Sequence, residues 1–195
     1  MIYLVLLEPL ETRYTAQWKR WFEEEFNNNN IEFKEILGKT LSEINNSKNF
    51  LDPFQTNMWK SEQIIEISNL FKEGIIKEDD IFVHFDAWNY AIIAIKYMSA
   101  LSNIKIKQFG IWHAGSYDDN DLLGQMGLFN YFNRFEESLF NILDKSFVAT
   151  NYHKNLILSK FKNVDKDKIL VTGFPYNFRE LDEYKGYKKE NLIVF

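Results

Sequence analysis

Six short runs of aliphatic, β-branched and aromatic residues recur along the chain, and most of the residues between them keep helical spacing. The runs are Ile2–Leu7, Ile31–Ile36, Ile81–Asp86, residues 104–113, Ser146–Thr150 and Ile169–Gly173. Each is short enough to be a strand, and several are too uniformly apolar for a sheet with one wet face. After the first run, Tyr14, Trp18, Trp21, Phe22 and Phe26 mark an amphipathic helix over about residues 13–26. Further helices are expected over Thr56–Lys72, Trp88–Leu101, Asp121–Leu143 and Tyr152–Phe161. Residues 38–55 are polar and irregular, contain Pro53, and read as a long loop.

Alternation of strand and helix is satisfied by a parallel sheet with helices on both faces. The expected fold is therefore α/β, a Rossmann-like three-layer domain with a mostly parallel sheet of six or seven strands. It spans residues 1–181. The charged stretch 182–191, with Gly186, reads as an interdomain linker, and Leu192–Phe195 as the opening strand of a second domain. With 195 residues, 46% of them hydrophobic, the chain has material for one real core. A net charge of −5 without a basic stripe argues against nonspecific nucleic-acid binding. There is no cysteine, so disulfides and thiolate metal sites are excluded. The apolar start is too short for a signal peptide and no run reaches the length of a membrane span, so a cytoplasmic location is expected.

Parallel sheets bind ligands beyond the carboxyl ends of their strands. Here those ends carry Glu8 and Arg13; His84, Asp86 and Trp88; His113 to Asp118; Thr150 and His153; and Gly173 to Pro175. The fourth end is the most distinctive, because the strand runs into His113-Ala114-Gly115-Ser116-Tyr117-Asp118. Ala114 and Gly115 have almost no side chain, so a ligand could approach the backbone there. His84 and Asp86, two apart on one strand, would share a face. They have two readings: contacts to a sugar hydroxyl, with Asp86 as proton acceptor, or Asp86 as the cap of the next helix. On the long helix Arg134, Glu136 and Glu137 read mainly as a solvated face, with Glu137 the acid preferred for turning inward.

Other chemistries find little support. Gly38-Lys39-Thr40 ends like a phosphate-binding loop, but Phe33 stands where its first glycine is needed. No G-x-G-x-x-G follows a strand and no G-x-S-x-G elbow is present. The histidines lie on separate strand ends at no metal-binding spacing, so no metal and no cofactor is expected.

Three segments together resemble the N-terminal domain of GT-B fold glycosyltransferases, closest to the retaining family 4 type. They are Gly110-Ile111-Trp112-His113-Ala114-Gly115-Ser116-Tyr117-Asp118, then Glu137 to Thr150 with Asp144-Lys145-Ser146-Phe147-Val148-Ala149-Thr150, then Lys168-Ile169-Leu170-Val171-Thr172-Gly173-Phe174-Pro175. The resemblance implies the acceptor-binding half of a transferase that takes a sugar from a nucleotide-sugar donor. The acceptor would be a glycan, a lipid-linked sugar, a small molecule or a modified nucleic-acid base, and a C-terminal domain would grip the donor. His113 would face the donor sugar, with Asp86, His84 and Trp88 on the acceptor side. Tyr117, Asp118, Glu137, Thr150, His153, Gly173 and Pro175 would line the same cleft. Family members often carry a glycine pair after the first strand. This chain has Glu8-Pro9-Leu10-Glu11-Thr12-Arg13-Tyr14-Thr15 there, so Arg13 and the hydroxyls of Tyr14 and Thr15 stand in its place. The competing reading is a non-catalytic α/β nucleotide- or protein-binding module.

Overall fold

The computed structural model describes residues 1–10, 13–39, 52–177, 182, 185 and 186. Six strands form one all-parallel sheet: β1 (Ile2–Val5), β2 (Phe33–Ile36), β3 (Ile81–His84), β4 (Lys107–Ile111), β5 (Lys145–Val148) and β6 (Ile169–Val171). Their order is β2-β1-β3-β4-β5-β6. The helices are α1 (Tyr14–Asn28), α2 (Pro53–Lys72), α3 (Ala91–Ser102), α4 (Leu122–Gln125), α5 (Phe129–Ile142) and α6 (Asn151–Lys160). The result is a Rossmann-like three-layer α/β domain.

The order reverses once. The chain steps from β1 outward to β2, then crosses back over β1 to β3 and continues in that direction. Crossovers of one hand therefore place α1 on one face of the sheet and the later helices on the other. The core follows this division. Leu4 packs with Trp18, Trp21, Phe85 and Ile111 under α1. Tyr3, Val5 and Phe82 face Ile67 and Leu70 of α2 and Ile95 of α3. Trp112, Leu139, Phe140, Ile157 and Phe161 fill the space beneath α5 and α6.

Local sequence accounts for most element ends. Asp52 accepts from the amides of Phe54 and Gln55, and Pro53 takes the first turn of α2, where no amide donor is needed. Thr150 caps α6 by accepting from the His153 amide. The expected helix over 121–143 is instead two helices, because Gly127 adopts a φ of +71° that an uninterrupted helix does not allow. Helix α2 begins at Pro53 rather than Thr56, and α1 runs on through Asn28. The strands are shorter than their apolar runs: β1 ends at Val5, β3 at His84 and β4 at Ile111. The expected linker and the extra strand lie outside the described residues, apart from isolated positions, as does most of the loop over 38–55.

Candidate functional site

The sheet reverses direction between β1 and β3, so the loops leaving these two strands part from each other. That divergence is the switch point at the carboxyl edge, the place where open α/β sheets take their ligands. Helix α2 braces it. Trp59 Nε1 and Gln63 Nε2 both donate to the Leu6 carbonyl, at 3.0 and 2.7 Å, and Gln63 reaches the Ile36 carbonyl at 3.0 Å. The Leu6 carbonyl beyond the end of β1 is thus satisfied by side chains, and the Ile36 carbonyl, which also accepts from the Leu6 amide, gains a second donor.

His113 sits just beyond β4, half-buried, with both ring nitrogens engaged. Nε2 is 2.6 Å from the Phe85 carbonyl, which can only accept, so this nitrogen carries the proton. Nδ1 then accepts from the Tyr14 hydroxyl at 2.8 Å. Burial raises the Tyr14 pKa, against the opposing effect of Arg13, which keeps the phenol a donor. The imidazole also packs against the rings of Tyr14, Trp18 and Phe174, with centroids 5.6, 5.0 and 6.1 Å away. The Arg13 guanidinium carbon lies 6.0 Å from the centre of the Tyr14 ring.

Asp86 follows two residues after β3. Its Oδ1 accepts from the Trp88 amide at 2.9 Å, and its Oδ2 from Lys60 Nζ, also at 2.9 Å. Lys60 donates again to the Trp88 carbonyl at 2.6 Å. Burial alone would raise the Asp86 pKa, but Lys60, His113 and the hydrogen bonds from Lys60 and Trp88 together hold it below the ordinary value. Asp86 is therefore a carboxylate, and it organises the turn ahead of α3.

Trp88 links this group to the next. Its Nε1 donates to Glu136 Oε1 at 2.9 Å. The same carboxylate accepts from the Ser116 amide at 2.6 Å and from the Ser116 hydroxyl at 2.7 Å. Glu136 is wholly buried, and burial raises its pKa despite these three donors. The loop after β4 is thus pinned by an acid from α5. Beyond it, Tyr117 is wholly buried, and its pKa is pushed well up by burial. Its hydroxyl shares a hydrogen bond with His153 Nε2 at 2.6 Å. Burial lowers the pKa of this histidine.

The structure therefore sets three hydrogen-bonded groups along the carboxyl edge: Tyr14 with His113, Asp86 with Lys60 and Trp88, and Tyr117 with His153. Other expected site residues are placed differently. His84 is wholly buried on the sheet face beneath the later helices, with Nε2 3.0 Å from Gln108 Oε1. It belongs to the core and not to a cleft. Glu137 points outward to Arg134 and Asn163, at 2.9 and 3.1 Å, and Glu136 is the acid turned inward. Thr15 is a buried brace: its hydroxyl donates to the Glu8 carbonyl at 2.6 Å and accepts from the Leu10 amide at 3.2 Å. Glu8 is itself nearly buried. Gly115 leaves no gap for a ligand, because a Cβ there would collide with the Tyr117 ring and lie 2.8 Å from Glu136 Oε1. Thr150 is the helix cap described above. Ala114 and Asp118 lie half-buried in the pinned loop. Gly173 turns the chain after β6 with a φ of +80°. Pro175 then lies against α1, beside a cavity of about 420 Å³ lined by Trp21, Phe22, Phe26 and Tyr176.

The sequence pattern does not single out Lys60 and assigns Glu136 mainly to a solvated face, whereas Ser116 and Phe174 fall within the strand-end segments His113 to Asp118 and Gly173 to Pro175. A signal for the first two is present. Glu136 falls in the apolar register of Leu139, Phe140 and Leu143, and Lys60 lies one turn before Ile64 on the buried side of α2. A charge in a buried register implies a partner. Replacing Glu136 by glutamine keeps the shape but weakens three charge-assisted contacts, so a loss of about 1–3 kcal/mol in urea unfolding is expected.

No protein-family model matches the chain, and no curated protein matches it. Among the described residues, no helix is long and apolar enough to cross a membrane.

Proposed function

We propose that the domain is the acceptor-binding half of a glycosyltransferase that moves a sugar from a nucleotide-sugar donor to a ring-bearing acceptor with retention. The observation that carries this reading is the cluster of His113, Tyr14, Asp86 and Lys60 at the switch point where β1 and β3 part. Switch points of this kind are where open α/β sheets take their ligands. In this reading His113 orients donor-sugar hydroxyls, the Tyr14 hydroxyl yielding its place as the cleft fills. Asp86, held ionised by Lys60, supplies fixed negative charge on the acceptor side.

One observation favours a second reading, a non-catalytic α/β nucleotide- or protein-binding module. In this structure both nitrogens of His113 and both oxygens of Asp86 are already bound within the protein. The two readings separate by titration and by transfer. Saturation-transfer NMR with aryl glycosides is expected to show acceptor binding to the chain, with uridine and guanosine diphosphate sugars held weakly. In the transferase that contains this domain, His113→Ala is expected to lower turnover about a hundredfold while changing acceptor affinity far less. Unchanged turnover would make the histidine structural. Tight nucleotide binding without transfer would favour the module.

A further inference from the structure

The outer surface of the α2–α3 pair is built for contact. Helix α3 is apolar on nearly every side: Ala91, Ile92, Ile95 and Ser99 face the core, yet Ile93, Tyr97 and Leu101 form a stripe pointing away from the sheet. A helix apolar all round is ordinarily buried all round. Helix α2 lies beside it, and the Tyr90 hydroxyl at the start of α3 donates to the Asn57 carbonyl at 3.0 Å, setting the two helices level. On α2, Phe54, Met58 and Ile65 form a matching outward stripe around Ser61. The six large side chains are between 37% and 80% exposed. Together they offer about 700 Å² per copy, close to the share one partner contributes to a stable interface.

Apart from Lys72, exposed at the C-terminal end of the α2 stripe, the charged residues beside this surface stand on its flanks. Glu62 and Glu66 stand on the far side of α2, where they meet the Lys39 amide and Lys34 beside β2. Lys96 stands on the opposite side, on the flank of α3 that looks toward α5. Glu66 is neutralised by Lys34 at 3.2 Å, which leaves Glu62 on one flank and Lys96 on the other as charges of opposite sign. A two-fold axis parallel to the helices lays α2 of one copy on α3 of the other and sets Glu62 opposite Lys96 at the rim.

We propose that the outer faces of α2 and α3 form the interface of a two-fold homodimer. The measurement is sedimentation equilibrium of the 195-residue chain at micromolar concentration, where twice the chain mass is expected. Tyr97→Glu and Leu101→Glu, both at exposed positions, are each expected to raise the dissociation constant at least about thirtyfold with an unchanged circular dichroism spectrum. Tyr152→Lys, on exposed α6, is expected to leave it unchanged. Lys96→Glu is expected to weaken the dimer and Glu62→Lys in the same chain to restore it. A monomer at about 100 μM overturns the proposal. So does a dimer indifferent to Leu101→Glu, and so does a monomer that floats with phosphatidylcholine or phosphatidylserine vesicles.

Discussion

Replacing Lys60 by methionine is expected to destabilise the domain by about 3–5 kcal/mol. Methionine fills nearly the same space, so the loss is electrostatic rather than steric. The Lys60 side chain is 6% exposed, and its ammonium group holds both the Asp86 carboxylate and the Trp88 carbonyl. Without it, a largely buried carboxylate keeps one amide donor and a carbonyl loses its partner. Removing one member of such a pair costs more than the pair contributes, because the remaining charge, with the Asp86 side chain only 20% exposed, is poorly solvated. Two controls separate this account from simple loss of packing. Asp86→Asn in the Lys60→Met background should recover part of the loss, since it removes the uncompensated charge. The penalty should also shrink in acid. Lys60 helps hold the Asp86 pKa below its ordinary value, so the stability drawn from the pair is present above that value and is lost as pH falls through the depressed one. Urea denaturation of the parent and the two variants at neutral and acidic pH tests both points. A Lys60→Met protein as stable as the parent would show the pair to be unimportant.

Acid is expected to weaken the domain through His84 by about 3 kcal/mol. Burial pushes the pKa of this histidine down to about 4 from an ordinary 6.5. Gln108 occupies Nε2, and Nδ1 has no partner, so a proton added there would meet no acceptor. The unfolded chain takes up its proton as pH drops below about 6.5, whereas the native protein does not until about 4. Stability is therefore complete above the higher value, declines across the interval and levels off below the lower one. His153, whose pKa is also lowered by burial, contributes in the same direction. His84→Gln should flatten the decline relative to the parent between pH 7 and 4.5, leaving the part due to His153 and the carboxylates. Equal slopes for parent and variant would sink the assignment.

The architecture was legible because strand and helix have different periods, and long windows average over local exceptions. All six strands and the parallel arrangement follow from that alternation. The site was less legible, because its decisive relations are ones of facing and of distance across the chain. His84 and Asp86 were expected to share a face by the two-residue period, but pairing stops at His84, and Asp86 belongs to the turn beyond. Glu137 was preferred over Glu136, a difference of about 100° around a helix, which decides between solvent and the Ser116 loop. Lys60 meets Asp86 across 26 residues, and no local pattern reports such a pair. The reading that Asp86 caps a turn was available from sequence, since aspartate commonly binds the amide two residues ahead. Gly115 was read as an opening for a ligand because small residues suit that use. They suit equally a loop pressed against its own tyrosine, and only the position of the Tyr117 ring distinguishes the two.

The packing of Phe174 on Tyr14 and Trp18, with centroids 5.5 and 4.7 Å apart, joins the first helix to the segment that follows the last strand. On a ribosome those partners are not available together. At about 5–20 residues per second, roughly ten to thirty seconds separate the synthesis of Tyr14 from that of Phe174. Meanwhile β1 gains β2 and then β3 as partners, but Trp18 and Trp21 still lack the rings of Phe174 and Tyr176 that cover them. A nascent chain paused before β6 would therefore present the side of Trp18 and Trp21 that Phe174 and Tyr176 later cover. That makes the interval before residue 174 emerges the time at which this protein most needs a chaperone's cover.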